Sequence, residues 1–488
     1  MILRRKVVVV VTLLIALAGS AHVPAAAQHE PDQLLHFVTR PDLKAPRINV
    51  RISTAGTAPG YVFLGPKSDT FVLPPASVLG GPEIVDNTGQ PVWFLPRGDG
   101  NLIRTAAFEA QSYRGRPVLT WWEGLPVPIH EIGAPVFGNW VIMDESYRVI
   151  DRVKPGNGME FADMHDMRIT PWGTALILVY RMVAHKDGDT IRMVHDNVIQ
   201  EVRIGTREVL FEWSALDHIG LDESTMPRPD NPLTPYGAVH LNSLSLDTDG
   251  NIITSGRHTS AVYKIDRTSG EIIWRLGGKR SDFTFGPGAA FAWQHDAARE
   301  RDGTLSVFDN ASTGDGPQIS RGLLLNLDEP RRTATLARSY PSPDGLMSGT
   351  QGSVQELGNG NVFVGWGSHG TFTEFSQRGE VVFNASFAKQ HLNSYRAFRL
   401  PWVGKPTDLP VAAGRGNTAY ASWNGATEVV SWRVLAGAGA QSLAPVATAP
   451  RRGFETSIPL PGPAAYLAVQ ALDRNGSVLG TSRPAKTG

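Results

Sequence analysis

The chain contains no cysteine among its 488 residues. That excludes disulfides, thiolate zinc sites, iron–sulfur clusters and a cysteine nucleophile. It has no surplus charge of either sign, with 46 Lys and Arg against 46 Asp and Glu. A nucleic-acid groove needs a cationic surplus to displace counterions, so no nucleic-acid partner is expected. No GxxxxGK[ST] loop is present to cradle a nucleotide. Long apolar runs are missing too, except near the N-terminus. There Arg4, Arg5 and Lys6 precede the run Val7–Ala18, and Ala25-Ala26-Ala27 offers small residues for cleavage. The run falls short of the ~20 residues that span a bilayer. Residues 1–27 are therefore expected to be a signal peptide. The mature chain would start at Gln28, be secreted and carry no integral membrane segment.

What the chain does have is a large apolar fraction, 41%, with 51 Gly and 35 Pro. That is enough for a packed core broken by many turns. One unit recurs. Its clearest copy has strands His240–Leu246, Asn251–Arg257, Ala261–Asp266 and Glu271–Leu276, with turns at Asp249-Gly250 and Ser269-Gly270. The same frame fits segments starting near Leu102, His165, His295 and Ser353. A sixth copy is split: Tyr61–Leu64, Glu83–Asp86 and Pro91–Leu95 supply three strands, and Tyr395–Leu400 supplies the missing first one. Four-stranded units that close by borrowing a strand from the far end of the chain predict a six-bladed β-propeller over 28–403. After Pro401 the composition shifts. Residues 404–415, rich in Pro, Ala and Gly, read as a linker. Short strand patterns at Tyr420–Trp423, Glu428–Leu435, Glu455–Leu460, Tyr466–Leu472 and Val478–Gly480 then predict a small accessory β-sandwich over 416–488, similar to a fibronectin type III module.

A propeller also predicts where polar groups gather. The start of each first strand and the end of each second strand share one rim. His165, His240 and His295 begin first strands, 8, 10 and 8 positions before the turn glycines Gly173, Gly250 and Gly303. Arg181, Arg257, Asn310 and His369 end second strands. The pattern predicts three imidazoles and a guanidinium at one mouth of the channel. Trp172, Trp274 and Trp293 are expected to pack between blades, and His258 falls outside the pattern. Three chemistries suit the cluster. An anionic substrate fits Arg together with His. A non-catalytic anion-binding propeller would use the same groups. Three imidazoles would also suit a divalent metal in a lyase or hydrolase, although the permanent charge of Arg257 opposes one.

At these residues the chain resembles the bacterial arylsulfate sulfotransferase family. The resemblance rests on Val239-His240-Leu241-Asn242-Ser243, Ser255-Gly256-Arg257, Gln294-His295-Asp296-Ala297, Val307-Phe308-Asp309-Asn310 and Gly352-Ser353-Val354-Gln355. It spans roughly residues 40–400. It implies a six-bladed propeller and transfer of a sulfuryl group from an aryl sulfate to a phenolic acceptor. Neither a nucleotide sulfate donor nor any other cofactor or metal is implied. Carried over by motif, His295 looks like the transiently sulfated nucleophile. His240, Asn242 and Arg257 look like the group that binds sulfate and stabilises the transition state. His165 looks like a further axial histidine, and Ser353 stands where a hydroxyl residue contacts substrate. Asn310, at the end of a second strand, is expected to contact substrate too. The chain departs from the characterised members in lacking cysteines and in carrying its extra β-domain at the C-terminus.

Overall fold

A computed structural model describes residues 33–68, 80–97, 103–125, 137–311, 319–388 and 391–488. The expected signal peptide, 1–27, lies outside the described residues. The protein is all-β. Its helical content among those residues is three single 3-10 turns.

Strands form where the repeat predicts them, and the glycine turns show why. Gly173, Gly250, Gly303 and Gly360 all have φ between 78° and 89°, a region that only glycine enters without strain. Each closes a turn by donating its N–H three residues back, as from Gly250 to the carbonyl of Asp247 (2.9 Å). The strands between these turns are buried on both faces, and so they read as near-continuous apolar runs such as Ala175–Val179.

Within the described part of residues 48–400, six sheets of four or five strands result, antiparallel apart from one short edge strand. The first comprises Leu392–Leu400, Tyr61–Ser68, Glu83–Val85 and Pro91–Phe94. The second runs Arg104–Tyr113, Arg116–Leu125, Phe137–Met143, Val149–Val153. The third runs Met167–Ile169, Thr174–Asp187, Thr190–Arg203, Val209–Ser214, and the fourth Leu241–Leu246, Ile252–Gly256, Ala261–Ile265, Ile272–Gly277. The fifth contains His295–Arg299, Leu305–Asp309, Arg321–Asp328 and Thr333–Pro341, with the short parallel strand Thr284–Phe285 added at its edge. The sixth contains Ser353–Glu356, Val362–Gly365, Thr371–Phe375 and Val381–Phe387.

The first strands touch in a closed circuit, from first sheet to sixth and back to the first. One apolar cluster lies between each successive pair of sheets. Trp122, Trp140 and Ile177 join the second to the third, and Phe363, Phe383, Leu64 and Ala397 join the sixth to the first. The arrangement is propeller-like. Both chain ends lock it. Leu392–Leu400 pairs antiparallel with Tyr61–Ser68, while Ile48–Ser53 adds a fifth strand to the sixth sheet against Val381–Phe387. The sequence reading did not single out Ile48–Ser53, although Ile-Asn-Val-Arg-Ile-Ser alternates apolar and polar residues as a strand does; the strand stands alone before the repeat and joins a sheet from the far end of the ring.

A second set of bonds ties the sheets near the axis. Asp166, Ser243, Asp296 and Ser353 each stand seven positions before a turn glycine. Each side chain accepts a backbone N–H from the next sheet: Leu244 (2.8 Å), Ala297 (3.2 Å), Val354 (3.0 Å) and Ala397 (3.1 Å).

The segment read as a linker is partly a strand. Val411–Arg415 pairs with Thr418–Ser422. Its small residues look like linker composition, but they are needed because Gly414 lies against Thr487 and Leu467. Beyond it, two sheets share one core built on Trp432, Val434, Ile458 and Val469. This unit docks on the ring through Asn424, which exchanges two hydrogen bonds with the backbone of Phe94 (3.0 Å each), and through Tyr147, which donates to the carbonyl of Gly425 (2.8 Å).

Glu83 in the first sheet is fully buried, and among the described residues neither carboxyl oxygen has a hydrogen-bond partner. Burial raises its pKa well above the ordinary carboxylate value. A carboxyl with a raised folded pKa favours the fold while protonated. Its contribution is therefore lost as pH climbs from the unfolded value, about 4.3, towards the folded one. Glu83→Met is expected to stabilise the protein at pH 8 by about 1–3 kcal/mol and to flatten this slope. Urea unfolding at pH 5 and pH 8 checks it. A less stable variant at pH 8 would mean the acid has a partner or a task.

Candidate active site

The first strands of the third, fourth and fifth sheets bring the predicted histidines to one end of the ring. His165 and His240 meet through their Nε2 atoms at 3.1 Å. The other nitrogen of His165, Nδ1, lies 2.5 Å from a carboxylate oxygen of Asp163. Tyr180 stacks on His165, with ring centroids 5.6 Å apart. Tyr395, from the closing strand, stands between His165 (5.6 Å) and His295 (6.3 Å). Arg257 reaches the same end. Its guanidinium contacts Nε2 of His258 (2.9 Å), donates to the carbonyl of Gly349 (2.9 Å) and lies 4.2 Å from the ring of Trp293.

His295 is held at both nitrogens. Nδ1 faces the amide oxygen of Asn310 at 2.7 Å, so Nδ1 carries the hydrogen. Nε2 therefore has the lone pair, and it accepts the N–H of Gln351 (3.2 Å). Asn310 in turn donates to the carbonyls of Ser348 (2.6 Å) and Gln351 (3.0 Å). The stretch from Ser348 to Gln351 thus touches Asn310, Arg257 and His295 at once.

Burial sets the charge. It pushes His240 and His295 well below the usual imidazole range, helped by His258 at His240 and by Arg257 at both. Burial and Arg257 together push His258 down to about 3. These three rings are neutral at pH 7, so Arg257 supplies the permanent positive charge beside them.

Several site residues sit at costly backbone angles. His240, Trp293, Asp296 and Gln351 have φ of 58°, 55°, 54° and 66°. Non-glycine residues in this region cost about 1–3 kcal/mol each and gather where function requires the geometry.

Some expected roles change. Asn242 is fully buried and donates to the carbonyl of Gln294 (2.8 Å), the residue before His295. Asn242 and Asn310 therefore position His295. Ser353 exchanges hydrogen bonds with the backbone of Ala397 (2.9 and 3.1 Å) and joins the sixth sheet to the closing strand. It occupies the same repeat position as Asp166, Ser243 and Asp296, which explains why its hydroxyl is spent on the fold. Arg181 pairs with Asp196 (2.9 Å), and His369 with the carbonyl of Met347 (2.8 Å). Trp274 is buried between sheets as expected. Trp293 instead carries Arg257, and Trp172 is exposed beneath Arg267.

Sequence reasoning missed His258, Asp163, Tyr180, Tyr395 and Gln351. His258 and Asp163 had a local signal. The first follows Arg257 directly, and the second stands two residues before His165, where a carboxylate can reach back to Nδ1. Tyr395 and Gln351 had none, since they arrive from the closing strand and an irregular loop.

Among the described residues, no group of three or more His, Cys, Asp or Glu is arranged to hold a metal ion. The imidazole nitrogens are largely engaged by one another, by Asp163, by Asn310, by Arg257 and by the carbonyl of Gly237. Among the same residues, no helix is long and apolar enough to cross a membrane.

Fold and site together define an all-β repeat protein with a buried histidine cluster beside Arg257. The chain belongs to the arylsulfotransferase family, whose profile, described as arylsulfotransferase (ASST), matches residues 109–388. Membership supports arylsulfotransferase activity in general and small aryl substrates. No curated protein matches the chain. Among solved structures it is similar to a protein of unknown function from Bacteroides caccae, at 16% identity and TM-score 0.40, covering 70% of this chain and 100% of that one. It is also similar to a streptogramin B lyase, at 10% identity and TM-score 0.31, with 76% and 88% covered. A virginiamycin B lyase from Staphylococcus aureus is a further likeness, at 10% identity and TM-score 0.29, with 76% and 95% covered. At these values the likenesses carry no argument about the site.

Proposed function

We propose that the protein is a secreted, nucleotide-independent aryl sulfotransferase. In this proposal a six-bladed propeller carries the chemistry and a fibronectin-like sandwich is its accessory unit. It moves a sulfuryl group from an aryl sulfate ester to a phenol through a sulfohistidine. One observation carries the proposal: neutral imidazoles converge with the buried guanidinium of Arg257, and His295 has its lone pair at Nε2 while Asn310 holds Nδ1–H. The N-terminal pattern of cationic residues, apolar run and small residues supports secretion.

In the first step the N–H of Gln351 releases the lone pair at Nε2 of His295, and that nitrogen attacks sulfur. The N–S bond forms as the S–O bond to the aryl oxygen breaks, and the phenolate leaves with the electron pair. Asn310 steadies the positive charge that grows on the ring. Arg257 stabilises the sulfuryl oxygens, a preorganised charge of the kind that often supplies the largest catalytic term. By analogy with phosphoryl transfer the transition state is loose, so positioning outweighs nucleophile strength.

The Asp163–His165–His240 chain handles the proton. With His165 protonated, its Nε2–H donates to His240, and Nδ1 of His240 is then a donor. With His165 neutral, His240 donates from Nε2, and Nδ1 becomes an acceptor. That Nδ1 is buried without a hydrogen-bond partner among the described residues. The chain can give a proton to the departing phenolate and take one from the incoming phenol. In the second step the acceptor oxygen attacks sulfur, the N–S bond breaks, and its electron pair returns to His295.

Intact-mass measurement after exposure to 4-nitrophenyl sulfate tests this. The expected result is a gain of one SO3 group, release of nitrophenol, and loss of the adduct when phenol is added. Tight binding of the ester with neither adduct nor nitrophenol would leave an anion-binding module in its place.

A further inference from the structure

The mechanism above gives His258 no task, yet its place beside Arg257 is a costly one. The two residues follow each other just beyond the second strand of the fourth sheet. Their N–H groups bond the carbonyls of His240 (2.9 Å) and Val239 (3.0 Å). Both side chains are buried, with Arg257 7% and His258 0% exposed. An imidazole and a guanidinium buried together each lose their water, and they repel whenever the ring is protonated. The fold nevertheless sets them 2.9 Å apart.

The hydrogen bonds show how the pair is made to fit. Nδ1 of His258 lies against the carbonyl of Gly237. A carbonyl only accepts, so Nδ1 carries the hydrogen and Nε2 the lone pair. Nε2 then accepts from a guanidinium N–H of Arg257 (2.9 Å). Burial and Arg257 keep the ring neutral, with a pKa pushed down to about 3, so this acceptor persists near neutral pH. A second guanidinium N–H donates to the carbonyl of Gly349 (2.9 Å), and Trp293 covers the guanidinium face at 4.2 Å. Two in-plane bonds and one covered face fix where the guanidinium lies and how it is turned. All three contacts are to neutral groups, so none of them cancels its charge. Thr225 ties the bracket together. Its N–H and hydroxyl donate to the carbonyl of His258 (2.6 and 2.7 Å), and its oxygen accepts the indole N–H of Trp293 (3.1 Å).

We infer that His258 is a positioning residue: its Nε2 fixes Arg257 in the orientation that meets the sulfuryl oxygens, and His258 itself touches no substrate. The inference rests on the transferase proposal for the nature of the anion. The physical gain is preorganisation. A guanidinium on a long free side chain must be ordered as the anion binds. One that is already held needs no rearrangement when charge develops in the transition state. A carboxylate would hold Arg257 as firmly but would neutralise it. A neutral acceptor, its tautomer locked by Gly237, holds the cation and leaves its charge for the substrate.

Binding and turnover of 4-nitrophenyl sulfate are measured for the wild type, His258→Leu, His258→Gln and Trp293→Leu, each alone and combined with Arg257→Ala. His258→Leu removes the acceptor. It is expected to lower ester affinity and kcat/KM by ~10- to 100-fold, the scale of one hydrogen bond to a charged group. His258→Gln can still donate to Gly237 and accept from Arg257, so it should recover most of the loss. With Arg257→Ala present, His258→Leu should cost less than about threefold more, because the residue acts through Arg257; a merely structural role would multiply the losses. Trp293 is only half-buried, so Trp293→Leu should fold even where a variant of the fully buried His258 does not. It should show the same lack of additivity, with a loss of ~2- to 30-fold. Full activity in a folded His258→Leu, no recovery in His258→Gln, or losses in either position that multiply with Arg257→Ala would overturn the inference. Ester binding that depends on His258, without adduct or transfer, would sink the transferase proposal and leave the positioning role standing. A wild type that neither binds nor turns over the ester would end both.

Discussion

His295→Ala is expected to lower sulfuryl transfer by on the order of 10⁴-fold or more, the scale seen when a covalent nucleophile is removed. The variant should form no adduct with 4-nitrophenyl sulfate. The size of the effect follows from His295 being the ring that combines a fixed Nδ1–H with a lone pair at Nε2. Removing it also leaves the N–H of Gln351 and the amide of Asn310 short of a partner, at about 1–3 kcal/mol of stability, so a melting curve accompanies the assay. The wild-type pH profile carries a second mark. Burial and Arg257 hold His295 neutral far below the usual imidazole range. The neutral form is the nucleophile, so kcat/KM should not fall on account of His295 until the pH is well below 6.5. Transfer and adduct retained in His295→Ala would end the sulfohistidine proposal.

Arg396→Met is expected to destabilise the ring by about 3–5 kcal/mol, the cost of stranding a buried charge partner. Arg396 is fully buried beneath the histidines. It bonds Asp166 (3.0 Å) and pairs with Asp296 (3.3 Å), the residues that follow His165 and His295. Arg168 completes the network with Asp166 (3.5 Å) and Glu109 (2.7 Å). Two guanidiniums therefore face three carboxyls. Burial works against all three. Arg168 and Arg396 outweigh it at Asp166, whose pKa falls, whereas burial wins at Asp296 and pushes Glu109 up to about 7. Glu109 is the carboxyl that can stay protonated, and by the sign of its shift its contribution to stability is lost as pH rises from about 4.3 towards 7. In Arg396→Met the two aspartates lose their shared cation, so the stability loss should be larger at pH 8 than at pH 5. Urea unfolding at both values reads this. A loss under about 1 kcal/mol at pH 8 would show that Arg168 alone supports the network.

The same two aspartates explain a division of labour that the sequence only half displays. His165-Asp166, just before a first strand, and His295-Asp296, at the start of one, each put an imidazole and a carboxylate on adjacent residues. The carboxylate accepts the next sheet's N–H and pairs with Arg396, so sheet-to-sheet bonding falls to Asp and the imidazole is left for the site. In the fourth sheet Ser243 takes the aspartate's place. Asn242 then stands where a histidine would, and His240 enters two residues earlier, beside a break in strand register between Leu241 and Ser243. The uneven spacing of 8, 10 and 8 positions before the glycines is the trace of that shift.

Periodicity, turn glycines and repeat spacing were enough to place the all-β sheets, the partner of the closing strand, and the end of the ring where His165, His240, His295 and Arg257 meet. Those features are local, since each depends on side-chain alternation and on glycine's access to positive φ. The tertiary structure alone decided which polar groups bond the fold and which remain for chemistry. It assigned Ser353 to the backbone of Ala397, Asn242 to the carbonyl of Gln294, and His258 to the guanidinium of Arg257. It also held three imidazoles neutral, because burial and the charge of Arg257 depend on atoms brought from distant sheets, and no pattern along one strand contains them.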